Sequence, residues 1–63
     1  MFVQIETVDG EVIDLHNIDK IVHTETGRIR FIEQSDDHRT PCFAEILKDK
    51  VACVFADGEL AKF

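Results

Sequence analysis

The side chains in this sequence whose types could do chemistry are three histidines and two cysteines. They are His16, His23, His38, Cys42 and Cys53. Imidazole and thiolate are the ligands that zinc prefers, and structural zinc sites usually bring them in close pairs such as Cys-x2-Cys. Only His38 and Cys42 lie close together in this chain. We therefore predict that the protein binds no metal and no other cofactor.

A cysteine nucleophile needs a neighbouring base or a positive environment that forms the thiolate. Cys42 and Cys53 have apolar chain neighbours instead, Phe43 beside the first and Ala52 and Val54 beside the second. A free cysteine in such surroundings behaves as a small hydrophobic residue. A chain of 63 residues also has little room for a substrate pocket beside its core. We therefore predict structural thiols, no catalytic residues and no enzymatic activity.

Neither a phosphate cradle nor a calcium loop is indicated by the sequence. The three glycines, Gly10, Gly27 and Gly58, lie far apart, so no glycine-rich loop can form around a phosphate. Asp36 and Asp37 are adjacent carboxylates, but they lack the spacing of a calcium-binding loop. They belong to the stretch 34–41, which contains no large apolar side chain and is expected to be an exposed loop. Such a loop could make adaptable contacts with a partner, and the predicted contact residues are Glu33, Asp36, Asp37, His38 and Arg39.

Charge restricts the classes of partner. Thirteen acidic residues against seven basic ones give a formal net charge of −6, which repels nucleic acid phosphates and anionic membrane surfaces. The longest apolar run, Val51 to Ala56, is far shorter than the roughly 18 residues of a membrane span. The first residues also lack the basic and apolar regions of a secretory signal. We expect a cytoplasmic protein without a membrane partner, with nucleic acid disfavoured, and with a protein partner that presents a basic surface.

Turn sequences between runs of β-forming residues predict three hairpins that would position these side chains. Asp9-Gly10 separates 2–8 from 11–15, Glu25-Thr26-Gly27 separates 18–24 from 28–33, and Asp57-Gly58 separates 51–56 from 59–63. Asp-Gly at the first hairpin is typical of a type I′ turn, and Gly27 suits the left-handed position of a three-residue loop. The run 51–56 is entirely apolar, so we expect a central strand that is covered on both faces.

The segment 42–50 fits two structures, because its apolar residues also fall at helical spacing. The fold expected for the single domain 1–63 is mainly β, or small α+β if one short helix forms near 42–50. Its strongly twisted antiparallel sheet of hairpins would be small and barrel-like. Within the second hairpin, Ile29 and Phe31 should face opposite to Arg28, Arg30 and Ile32. The expected aromatic core residues are Phe2, Phe31, Phe43 and Phe55.

Three functional hypotheses follow from small size, acidity and the lack of catalytic patterns. The first is a non-catalytic interaction module that binds another protein as a regulator or inhibitor, of the kind that phage and mobile elements encode. The second is a homo-oligomeric structural or scaffold protein, because the thin core and open sheet edges of so short a chain favour pairing with another copy. The third is a small nucleic-acid-binding β-barrel that uses basic residues such as Arg28 and Arg30.

Overall fold

The structure, a computed structural model, describes residues 1–34 and 43–61. Within them the chain is mostly β, as predicted, and forms two antiparallel sheets. The four-stranded sheet has the order β2-β1-β6-β7 and the three-stranded sheet the order β3-β4-β5. The strands are β1 Val3–Thr7, β2 Val12–Leu15, β3 Ile18–His23, β4 Arg28–Glu33, β5 Phe43–Leu47, β6 Val51–Ala56 and β7 Glu59–Leu60, with one 3-10 turn at Lys48–Lys50.

The hydrophobic core lies between the two sheets. Side chains on successive strand residues point to opposite faces of a sheet, so each strand contributes every second residue to the core. Ile29 and Phe31 point inward while Arg28, Arg30 and Ile32 do not, which confirms the predicted faces of β4. The fully buried residues, each at most 2% exposed, are Val3, Ile5 and Val54 from the four-stranded sheet and Ile18, Ile29 and Phe31 from the other.

The strands divide between two sheets where one curled sheet was expected, and barrel-like closure is not confirmed. The division occurs after β2, where Asn17 adopts a left-handed φ of 57°. Asparagine tolerates this conformation better than most residues. The Asn17 carbonyl accepts a hydrogen bond from Gln34 N at 2.7 Å, and Ile18 N donates to the Met1 carbonyl at 2.9 Å. These bonds hold the chain where it leaves one sheet and enters the other.

The helix considered near 42–50 is absent from the described part of this segment, which begins at Phe43. β5 pairs along its length with β4, and Ala44 and Ile46 face the core side. Phe43, Glu45 and Leu47 alternate with them onto the outer face. The two-residue period therefore prevails over the helical spacing, because pairing with β4 satisfies the backbone and buries Ile46. The assignment of Phe43 to the core is wrong for the same reason.

All three predicted hairpins form, but the two Asp-Gly turns differ. At Asp57-Gly58 both residues have positive φ angles, 52° and 81°, as a type I′ turn requires. In the first hairpin only Gly10 has a positive φ, so the predicted type I′ turn at Asp9-Gly10 is wrong. There Gly10 N donates to the Thr7 carbonyl and Thr7 N to the Glu11 carbonyl. The left-handed glycine thus ends a three-residue loop, as Gly27 does in the second hairpin, where the prediction is confirmed.

Strand β6 is central in its sheet, as predicted, because it pairs with β1 on one side and β7 on the other. The expectation that it is covered on both faces is wrong. Val54 is its one fully buried residue, whereas Cys53 and Phe55 on the outer face are half-buried and Ala52 is exposed. A register shift between Glu6 and Thr7 changes the pairing at this point, so that Thr7 lies opposite Val51. The outer face of the sheet is therefore partly open to solvent.

Replacing Phe31 by alanine should destabilise the fold by about 3–5 kcal/mol, because the change leaves a cavity between the sheets. A domain of this size has a free energy of unfolding on the order of 5 kcal/mol, so the variant should be largely unfolded at 37 °C. Phe43→Ala makes the same chemical change at an exposed site and should cost about 1 kcal/mol or less. Urea unfolding followed by far-ultraviolet circular dichroism measures both, and similar losses would contradict the assigned core.

Replacing Asp57 by alanine should cost about 1–2 kcal/mol of stability. The Asp57 carboxylate accepts a hydrogen bond from Phe2 N at 2.8 Å, and its backbone N donates to the Phe2 carbonyl at 2.8 Å. Alanine loses the first bond and is disfavoured at a left-handed φ. Asp57→Asn keeps an acceptor and suits the same turn, so it should change stability by about 0.5 kcal/mol or less. Equal losses in the two variants would show that the turn is not the cause.

Candidate functional site: two oppositely charged sheet faces

Charge is divided between the two sheets. Residues 1–16 and 51–61, which form the four-stranded sheet and its turns, contain six acidic residues and neither lysine nor arginine. Residues 17–34 and 43–50, which contain the three-stranded sheet, carry five acidic and five basic residues. The acidic excess of the described residues therefore belongs to the four-stranded sheet. Its carboxylates are all exposed: Glu6, Asp9, Glu11, Asp14, Asp57 and Glu59.

The outer surface of the four-stranded sheet, here called the acidic face, mixes carboxylates with exposed apolar side chains. One row across the sheet runs from Asp14 through Gln4 and Phe55 to Leu60. The next row runs from Val12 through Glu6 to Cys53. Val12 is 58% and Leu60 59% exposed, at opposite edges of the sheet. The face thus offers apolar contact area beside two negative charges.

Cys53 and Glu6 form a hydrogen-bonded pair on the acidic face. The Cys53 thiol donates to Glu6 Oε2, with Sγ and Oε2 separated by 3.0 Å. This hydrogen bond raises the pKa of the Cys53 thiol, and partial desolvation and the negative charge of Glu6 raise it further. A raised pKa disfavours the thiolate, and its main cause here is the Glu6 carboxylate rather than the apolar chain neighbours of Cys53.

The outer surface of the three-stranded sheet, here called the arginine face, is centred on one carboxylate between two arginines. Arg30 Nε and Nη2 donate to Glu45 Oε2 at 2.9 and 2.8 Å. Arg28 Nε lies 3.5 Å from Glu45 Oε1. Lys20 also occupies this face, opposite Ile32. Three cations against the carboxylates of Glu45 and of Asp19, which is exposed in the bulge beside Lys20, leave the face with a small positive excess.

Apolar side chains accompany the cations of the arginine face along strand β5. Phe43 is 54% and Leu47 43% exposed, on either side of Glu45. The Arg30 guanidinium carbon lies 4.4 Å from the centre of the Phe43 ring, a cation–π contact. Arginine and aromatic residues are enriched where proteins bind each other. The location of Arg28 and Arg30 on one face agrees with the sequence prediction. The pairing of Glu45 with both arginines and the packing of Phe43 against Arg30 were not predicted from the sequence.

Of the residues predicted to contact a partner, Glu33 alone lies in the part of the chain that the structure describes. Glu33 is exposed at the end of β4, on the sheet that does not carry Glu6 and Asp14. Asp36, Asp37, His38 and Arg39 lie outside the described residues. The carboxylates of the acidic face could have been noticed from their alternation with Val3, Ile5 and Ile13. Their common location, however, depends on how β1, β2 and β6 pair.

Side chains suited to metal binding are dispersed in the part of the chain that the structure describes. Within residues 1–34 and 43–61, no three His, Cys, Asp or Glu side chains come together as a candidate metal site. His16 instead contacts the Phe2 ring, with 4.8 Å between ring centres. His38 and Cys42 lie outside the described residues. A helix that could span the bilayer is likewise not found in the described part of the chain.

Comparisons of this chain with protein-family models, with curated proteins and with solved structures find no match.

Replacing Glu6 by glutamine should make Cys53 more reactive at neutral pH, because loss of the carboxylate lowers the thiol pKa. The measurement is the alkylation rate between pH 7 and 10 in a chain whose Cys42 is replaced by serine. The inflection of this profile should move to lower pH in Glu6→Gln. Asp14→Asn removes the same charge from the same face without touching Cys53 and should shift the profile less. Equal shifts in both variants would contradict a specific Glu6–Cys53 hydrogen bond.

Proposed function

We propose that this protein is a non-catalytic interaction module that binds another protein, as a regulator or inhibitor, through its acidic face. The observation that carries the proposal is the division of charge between the two sheets. Six exposed carboxylates lie in residues 1–16 and 51–61, which contain neither lysine nor arginine, and Lys50 directly precedes β6. A partner with a basic surface would complement this arrangement.

Electrostatic attraction would act before contact is made. Charges of one sign on one side of a molecule produce a field that orients an oppositely charged partner and raises the association rate. The field is largely screened beyond about 8 Å at physiological ionic strength. Attraction of this kind therefore works at short range and weakens as salt is added.

Apolar contacts would then hold the complex. Protein interfaces usually bury an apolar centre surrounded by polar and charged residues. On the acidic face Phe55 is half-buried between Gln4 and Leu60, and Leu60 and Val12 are largely exposed. Covering these side chains would contribute about 25 cal/mol per Å² of apolar surface removed from water. The carboxylates would orient the partner as it approaches. The apolar residues would slow dissociation of the complex.

Reversing two charges on the acidic face should weaken partner binding at least tenfold. The variant Glu6→Lys with Asp14→Lys loses two attractions and gains two repulsions, which together amount to a few kcal/mol at most for exposed charges. Immobilised wild-type protein should retain a partner from a cell lysate at physiological salt and release it as salt is raised. The variant should fail to retain the same partner.

The matched control is Glu25→Lys with Asp49→Lys. It makes the same change in net charge at exposed residues outside the four-stranded sheet. A partner that binds the acidic face should still bind this control with nearly wild-type affinity. Retention of the same partner by the acidic-face variant, or equal loss in the control, would contradict docking through this face.

A further inference from the structure

The arginine face and the acidic face lie on opposite sides of the same molecule and have opposite charge. On the arginine face Lys20, Arg28 and Arg30 outnumber two carboxylates, Glu45 and the exposed Asp19 in the bulge of β3. On the acidic face, as far as the structure describes it, Glu6 and Asp14 are not accompanied by a lysine or arginine. Both faces also expose large apolar side chains. The two faces are therefore complementary in charge, and each offers apolar side chains that the other could cover.

We infer that a second copy of this chain docks its acidic face on the arginine face, so that copies associate head to tail. Two acidic faces, or two arginine faces, would bring like charges together, whereas this arrangement pairs opposite charges. Glu45 uses its two oxygens on Arg28 and Arg30. A planar guanidinium has five N–H donors. Donors on both arginines thus remain for the carboxylates of Glu6 and Asp14 from the next copy.

The size of the faces fits a small and weak specific contact. The principal extents of the Cα trace are 36 × 27 × 19 Å. An ellipse with the two longer extents as axes has an area of about 760 Å², and one sheet face is only part of that outline. A standard interface buries about 800 Å² per partner, so contact through one face belongs to the smaller, weaker class of interfaces.

The net charge of −6 does not forbid the stack. In a head-to-tail stack, the acidic sheets of two successive copies are separated by the three-stranded sheet of one of them. The acidic sheets are then two sheet spacings, about 20 Å, apart. This distance exceeds the Debye length of about 8 Å at physiological salt, so the repulsion is largely screened. The attraction acts across a direct contact and is screened less.

Head-to-tail association does not stop at two copies, unlike an ordinary symmetric dimer. The two faces lie on opposite sides of the molecule, so the assembly always keeps one free acidic face and one free arginine face, and more copies can bind. Every acidic face except the last is then covered. Self-association rests on the acidic face of the proposed function and would compete with a foreign partner for it.

The test uses variants that each damage one face of the full-length chain. Glu6→Lys with Asp14→Lys disables the acidic face, and Arg28→Gln with Arg30→Gln weakens the arginine face. Solution mass is measured by sedimentation velocity from on the order of 10 μM to 1 mM at physiological salt, the range for weak specific contacts. Wild-type protein should grow past a dimer as concentration rises. Each variant alone should stay monomeric.

An equimolar mixture of the two variants gives the decisive result. Each variant retains the face that the other has lost, so the mixture should form a dimer and stop there. Lys48→Gln with Lys50→Gln removes two charges from the 3-10 turn outside the arginine face and should assemble like wild type. If a double variant fails to fold by circular dichroism, Leu60→Lys and Leu47→Glu replace the two variants, because both leucines are exposed.

Three outcomes would overturn head-to-tail association. They are a wild-type protein that stays monomeric throughout the range, a wild-type assembly that stops at two copies, and a variant mixture that stays monomeric. All of these measurements use purified chain alone. They therefore leave the binding of a foreign partner to the acidic face untouched, and loss of that binding would in turn leave self-association standing.

Discussion

The two-residue period of the strands is the constraint on which both the core and the surface of this protein depend. Val3, Ile5, Ile29 and Phe31 are buried between the sheets, and their chain neighbours must then point outward. A slip of one residue in any strand would exchange the two sets and place charges in the core. Burial of a few apolar side chains thus also determines where Glu6, Arg28 and Arg30 lie.

The thin core gives the remaining contacts more weight. Six side chains are fully buried among residues 1–34 and 43–61, which is few for a folded domain, so turns and backbone bonds that join distant parts of the chain matter for stability. Asp57 exchanges two hydrogen bonds with Phe2, and Ile18 N binds the Met1 carbonyl. These bonds connect the first residues to the last hairpin and to the other sheet. The two charged faces are consequently held in a fixed relation to each other.

Local features of the fold could be predicted from the sequence, but the arrangement of the sheets could not. The faces of Ile29 and Phe31 follow from alternation within one strand, and the left-handed conformation of Gly27 follows from the residue type. Both predictions are confirmed. The division into two sheets depends on a left-handed Asn17 and on bonds between distant residues. Hydrophobicity alone predicts Phe43 in the core, because it does not tell which side of a strand faces inward. The pairing of β5 with β4 decides that, and Ile46 takes the inner side.

The most direct test of the account is a titration of the isotope-labelled protein with hexalysine, followed by nuclear magnetic resonance. This probe carries the charge of a basic partner without its shape, so it reports which surface attracts cations. The account predicts that the largest amide shifts occur on β1, β2 and β6, around Glu6 and Asp14, and that they disappear at high salt. Shifts spread evenly over both sheets, or centred on Glu33, would contradict a function that resides in the acidic face.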